Sequence, residues 1–266
     1  MLRDITLGQY YPVDSVIHRL DPRTKLLGTL LFIISLFCMD SAWGYGLAAL
    51  FLAVTIRLSK VPLKFMVRGL KAVLVLLLIS VSFNLFLTPG REIFRLGFLK
   101  ITWEGLRTAV FMAVRLIFLV LGSSVMTLTT TPNELTDGLE KGLGFLKKVG
   151  VPVHEVAMMM SIALRFIPIL IEEADKIMKA QMARGADFES GNIVQRAKSM
   201  VPLLVPLFIS AFRRATDLAM AMEARCYRGG EGRTKMKPLR YHRRDRLAQL
   251  LLVLYLAAVI VLRVMV

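Results

Sequence analysis

The chain has 266 residues, 56% of them hydrophobic, yet it carries 35 Lys and Arg against 19 Asp and Glu. A soluble domain of that size would alternate apolar residues with polar ones. Here they stand in uncharged blocks near the roughly 20 residues that a helix needs to cross a bilayer, and none of the blocks shows the alternation that a membrane barrel requires. The net charge of +16 fits either a nucleic-acid surface or retention of Lys and Arg on the cytoplasmic side of a membrane protein. Retention is the commoner cause, and no nucleic acid is expected as a partner.

In chain order, the first 25 residues are polar and of mixed charge, so no cleavable signal peptide is expected. Leu20-Asp21-Pro22-Arg23 reads as a helix start, with Asp21 as N-cap and Pro22 at the first helical position. Two short apolar blocks, 26–39 and 42–56, suggest a tilted or tight helical hairpin. Residues 57–71 hold five basic side chains and no acid, an inside marker. A third block, 72–87, runs into the turn signal Thr88-Pro89-Gly90. A mixed external stretch to about 104 precedes a fourth span over roughly 105–129, broken only by Arg115. That arginine reads as a polar tie between spans, to Asn84 or a backbone carbonyl. Cys38 and Cys226 are no disulfide framework and read as free thiols.

With the N-terminus inside, everything from 131 to 246 returns to the cytoplasm and a last span begins near 247. Residues 129–246 carry 20 Lys and Arg against 13 Asp and Glu. Nine of those basic residues fall between 225 and 246, a surface for anionic membrane lipid. Two amphipathic helices are expected in this region, about 153–184 and 193–225, each roughly 45–50 Å long. Val156, Met160, Ala163, Ile167, Leu170, Ala174 and Ile177 recur at three and four residues on the first. Val194, Ala197, Val201, Leu204, Phe208, Ala211, Ala215 and Leu218 do so on the second. The expected fold is therefore all-α and polytopic. A membrane domain over 1–130 has about four transmembrane helices, a cytoplasmic domain of long crossed helices covers 131–246, and a C-terminal span covers 247–266.

No enzyme motif stands in the chain. There is no G-x-x-x-x-G-K-[ST] phosphate loop and no G-x-S-x-G elbow, and His154-Glu155 is followed at 158 by Met where a zinc-binding helix needs His. The chain does not read as catalytic. What remains is a pair of tripeptides, Ala183-Arg184-Gly185 and Ala224-Arg225-Cys226, at the ends of the two long helices. Each fits a helix C-terminus, with a cation favoured by the macrodipole ahead of a small capping residue. Each also fits a plug, because small flanking residues let a helix end enter a groove where the arginine fork makes bidentate contacts. In a hairpin, Arg184 would sit at the turn end and Arg225 at the opposite end, and crossing rather than parallel packing would present the two tips to two subunits or to two pockets of one dimer.

Several stretches together resemble the T component (EcfT, the CbiQ/BioN-type family) of energy-coupling factor transporters, a class of ATP-binding-cassette importers for vitamins and transition-metal ions. They are His18-Arg19-Leu20-Asp21-Pro22-Arg23-Thr24-Lys25, Leu164-Arg165-Phe166-Ile167-Pro168 with Glu173-Ala174-Asp175, and the paired tripeptides, whose arginines lie about 41 residues apart. The resemblance covers essentially the whole chain; Cys226 departs from it by replacing the usual Gly. It implies a non-catalytic subunit, held with two cytoplasmic ATPases (EcfA and EcfA′-like) that bind ATP and Mg. A small membrane S component would bind the substrate. Arg184 and Arg225 would each dock into one ATPase, and Met160, Ile167, Leu204 and Phe208 are candidates for contact with the S component. The contrasting readings are a conventional importer permease, whose Gly and Ile-x-Leu-Pro coupling-loop continuation is missing after Glu173-Ala174, and a membrane-bound enzyme or assembly factor. The latter would need an ionisable cluster inside the spans, which offer only Arg115.

Overall fold

The computed structural model describes residues 10–39, 41–89, 91–96, 99–186, 188, 192, 194, 198–230, 236 and 238–265. They pack as two compact units. One is built from Gly8–Lys141 together with Leu239–Val266; the other includes Gly142–Pro238. Packing therefore divides the chain near 142 and 238, whereas the sequence suggests 131 and 246.

The first unit opens with α1 (Pro22–Phe37), α2 (Ala42–Ser59) and α3 (Leu63–Leu87). Asp21 caps α1 by accepting from the Arg23 amide at 2.9 Å, and Ser41 caps α2 through the Gly44 amide at 3.3 Å. The third helix starts well before the apolar block, so Lys64, Arg68 and Lys71 are helical, and it bends by 60° around residue 72. The external stretch contains a short antiparallel hairpin, β1 (Glu92–Leu96) and β2 (Leu99–Thr102), with Arg95 opposite Lys100 and a bulge between Glu92 and Phe94. These are the strands among the described residues, and the fold is otherwise helical.

Thr102 ends the hairpin and caps α4 (Trp103–Thr129), accepting from the Gly105 amide at 3.1 Å while its hydroxyl donates to the Thr88 carbonyl at 2.9 Å. Thr131 and Glu134 then exchange backbone-to-side-chain bonds in a capping box that starts α5 (Pro132–Gly142). Gly138 of α5 lies against Pro22 at the head of α1, so this helix belongs to the membrane unit rather than to the expected 131–246 domain. The unit is completed by the last helix, labelled α8 below (Arg243–Met265).

Its core is aromatic. Phe32, Leu36, Tyr45, Leu52, Tyr255 and Val259 are buried together, with the Phe51 ring stacked on Tyr255 at 4.4 Å between centroids. Gly122 of α4 lets the Phe32 ring approach so closely that a Cβ there would stand 2.8 Å from it. Arg115 is a tie between helices: its guanidinium donates to the Tyr45 hydroxyl at 3.0 Å and to the Met39 carbonyl at 3.1 Å. The carbonyl expectation is met, whereas Asn84 donates to the Ser80 carbonyl of its own helix.

A polar knot joins the N-terminal segment to α4 and α8. Lys25, only 7% exposed, donates to the His18 carbonyl at 3.0 Å and to the Thr129 carbonyl at 2.8 Å. Asp245, 1% exposed, accepts from the Asp21 amide at 2.7 Å and from the His242 amide at 2.8 Å. Arg23 grips Asp21 with two bonds of 3.0 and 2.9 Å and lies 4.0 Å over the Tyr241 ring. Burial alone would raise the Asp21 carboxyl, but the Arg23 hydrogen bonds outweigh it and hold the group below its ordinary range.

The second unit holds a short 3₁₀ turn (Gly144–Val149), α6 (Val153–Ala183) and α7 (Val201–Ala224). The first long helix matches its expected limits within a residue. The second runs from Val201 with Pro202 in its first turn, where a missing N–H costs no helical bond, and it follows a turn at Met200, before which Val194, Lys198 and Ser199 are also helical. Residues 193 and 195–197, Ala197 among them, lie outside the described residues.

By length and apolarity α2, α4, α6 and α8 can each cross a bilayer, and bent α3 adds a fifth candidate. The sequence reading counts α1 in place of α6. At 16 residues α1 is about 24 Å long against a hydrocarbon core of ~30 Å, and α6 is long enough because its apolar residues extend over 31 positions.

Candidate functional site

The two long helices run antiparallel. Glu173 of α6 receives a bond from the Arg214 guanidinium of α7 at 3.2 Å, and the Gln181 amide donates to the Pro202 carbonyl at 3.4 Å. Further along, Ile162, Phe166, Leu170, Leu218 and Met222 line a shared apolar cavity of about 260 Å³. Partners on α6 thus ascend as those on α7 descend. Arg184 therefore stands beside the start of α7, and Arg225 lies level with the first turns of α6. At 1.5 Å per residue the tips are roughly 35 Å apart along the pair.

Both tips are built the same way. At the end of α6, Gly185 donates to the Met182 carbonyl at 2.9 Å and Ala186 to the Gln181 carbonyl at 3.0 Å. At the end of α7, Cys226 donates to the Glu223 carbonyl at 2.8 Å and Tyr227 to the Met222 carbonyl at 3.1 Å. Each is a complete Schellman cap, with Arg at the C-cap and the next residue left-handed. Gly185 takes φ +87 at no steric cost, while Cys226 takes φ +54 with a side chain. The family's Gly is explained by this position, and Cys226 keeps the same backbone path.

Ala183, Arg184, Gly185, Ala224, Arg225 and Cys226 are all exposed, and among the described residues neither arginine makes an ion pair. The caps use backbone groups alone, so both guanidiniums keep their donors for another molecule. Just past Arg225, Gly230 sits on the His154 ring, where a Cβ would come within 2.3 Å of Cδ2. That contact holds the α7 tip against the head of α6.

The four candidate S-component residues separate. Met160, Leu204 and Phe208 are exposed, Phe208 by 61%, while Ile167 is half-buried. On α7 the expected stripe divides in two. Ala211, Ala215 and Leu218 face α6 across the cavity, whereas Val201, Leu204, Val205, Phe208, Ile209 and Phe212 form an exposed ridge. Their spacing of three and four residues sets them on one face of the helix. No residue of α7 is buried, and on α6 only Ala157 and Ala174 are. Sequence reasoning missed the Glu173–Arg214 pair, although acid and base on two facing amphipathic helices are a legible signal. It also missed Lys25 and Asp245, whose one clue is a charge at the margin of an apolar block.

Together these features define a multi-pass helical membrane protein that also carries a helical hairpin with an arginine at each end. Residues 14–236 match the CbiQ family, described as "Cobalt transport protein". Curated relatives carry the description "Energy-coupling factor transporter transmembrane protein EcfT". That of Thermosediminibacter oceani is 60% identical over 239 residues, covering 90% of both chains. That of Clostridium kluyveri is 57% identical over 252 residues, covering 94% of this chain and 93% of its own. The Bacillus subtilis relative is 49% identical over 246 residues, covering 92% and 93%. The chain belongs to this family of energy-coupling factor transporter transmembrane proteins, the EcfT proteins.

Proposed function

We propose that this chain is the non-catalytic coupling subunit of an importer, carrying ATP-driven movements of two cytoplasmic ATPases to a membrane-embedded S component that binds a vitamin or metal ion. The observation that carries the reading is the matched pair of exposed, identically capped arginine tips at opposite ends of one antiparallel hairpin. Two separated tips suit two ATPase subunits, each taking one small-flanked guanidinium into a groove. ATP and Mg would be held by those subunits, and none of the chemistry falls to this chain.

The exposed ridge of α7 supports the membrane half of the mechanism. An apolar ridge left uncovered beside a paired face marks a partner surface or a lipid surface. Leu204 and Phe208, with Met160 on α6, would contact the S component, so that a change in spacing of the ATPases tilts the hairpin and moves the substrate binder with it. The N-terminus and the tips lie in the cytoplasm in this reading.

The test is co-purification of the ATPases with the Arg184→Ala, Arg225→Ala double variant. The ATPases are expected to be lost while the variant still inserts and runs as a single species in detergent. ATPases retained at the wild-type ratio would overturn the docking role of the tips.

A further inference from the structure

The membrane unit holds a second feature that coupling does not use: an apolar groove of about 720 Å³ between α1, α2 and α8. Along its length the walls are aliphatic and aromatic, and Leu50, Val54, Leu251 and Leu254 are at least half exposed on it. Its lining on α8 extends from Arg243 to Ala258, about 22 Å of helix. That exceeds the ~15 Å depth of one leaflet's hydrocarbon. The groove thus has the length and lining for a single acyl chain, entered from the side.

One end of the groove is cationic. Arg243 and Arg244 line it there, both exposed, and among the described residues neither makes an ion pair. Lys25 lines it at the same end. Its ammonium is buried, its two bonds go to neutral carbonyl oxygens, and it too makes no ion pair among the described residues. Glu134, Asp21 and Asp245 favour its charge from nearby without an ion pair, and an anion at the mouth would bridge the two exposed arginines beside it. Three positive groups at one end of a lipid-length apolar groove describe the head and tail of one molecule.

We propose that this groove binds one anionic phospholipid, its phosphate held by Arg243 and Arg244 next to Lys25 and one acyl chain lying between α1, α2 and α8. In the orientation proposed above, the mouth faces the cytoplasmic leaflet, where anionic lipid attracts basic segments. The lipid would fasten the start of the last helix to the first two. The proposal does not depend on the ATPase-docking reading, because no tip residue takes part in it.

Native mass spectrometry of the full chain in mild detergent tests it, with phosphatidylglycerol, phosphatidylcholine and glycerol 1-phosphate as probes. One phosphatidylglycerol should be retained at least tenfold more tightly than phosphatidylcholine, and glycerol 1-phosphate should not displace it. Arg243→Gln with Arg244→Gln should remove that preference. Gly28→Leu should weaken both lipids, because a Cβ at Gly28 meets nothing within 4 Å and a side chain there would fill the groove without a clash. Equal retention of both lipids by the wild type, no effect of either variant, or displacement by glycerol 1-phosphate would overturn the proposal. A photo-crosslinker at Leu251 in native membranes should yield a lipid adduct; a crosslink to a second polypeptide would overturn it as well.

Discussion

The two units solve opposite problems with the same material. The membrane unit closes on itself: rings from α1, α2 and α8 stack in one core, and charged groups near the helix ends are matched to backbone partners. The hairpin unit leaves its apolar ridge and both arginines uncovered, with one ion pair among its described residues and a small cavity between its helices. The difference teaches that burial of charge marks the anchor and exposure of charge marks the working end. Asp245 and Arg225 stand 20 residues apart in the sequence and obey opposite rules.

That contrast can be broken most severely at Asp245. Asp245→Ala leaves the Asp21 and His242 amides without their acceptor in a buried site, and should cost about 3 kcal/mol of stability. Thermal unfolding in detergent reads the loss; ATPase capture by the folded fraction should be unchanged. Next, Leu204→Asp with Phe208→Asp should abolish capture of the S component while shifting stability by under about 0.5 kcal/mol, because both side chains are exposed. A large stability loss there would mean that the ridge is core.

Smaller effects sharpen the same division. Cys226→Gly should stabilise the end of α7 by about 0.5–1 kcal/mol by removing a left-handed Cβ, read as slower amide exchange at Tyr227 with ATPase binding intact. The mildest effect concerns pH. His18 takes the Ser15 hydroxyl at Nδ1 and donates Nε2–H to the Tyr11 carbonyl, and burial lowers its pKa below 6.5. The unfolded chain then binds the proton more readily than the folded one. Stability is therefore lost as pH falls below about 6.5 and the loss levels off under the folded value. A His18→Gln variant should flatten that decline in a thermal-shift series.

What was legible in the sequence is what repeats locally. The limits of α6 follow from its periodicity, the start of α1 from Asp21-Pro22, and both tips from their small-Arg-small pattern. Elements whose cause is non-local were not. The start of α3 among basic residues depends on amphipathic placement, since Lys64, Arg68 and Lys71 are well suited to helix while reading as loop by hydropathy. The hairpin at 92–102 is short and pairs residues with little alternation. The partner of Asp245 lies 224 residues away, so no window could reveal that the chain ends are tied together. The expected run of α7 is interrupted at Met200, a turn between the helical Ser199 and Val201 that the unbroken apolar stripe does not reveal.

The most direct test of the arginine tips uses a thiol already present. Cys226 is exposed beside Arg225, whereas Cys38 is half-buried at the end of α1. In the isolated chain a membrane-impermeant maleimide should label Cys226 readily, with Cys38→Ser providing a single-thiol background. In the assembled transporter the account predicts strong protection of Cys226, restored to free labelling by Arg225→Ala. Equal labelling of Cys226 in the isolated and assembled states would contradict the docking of this tip.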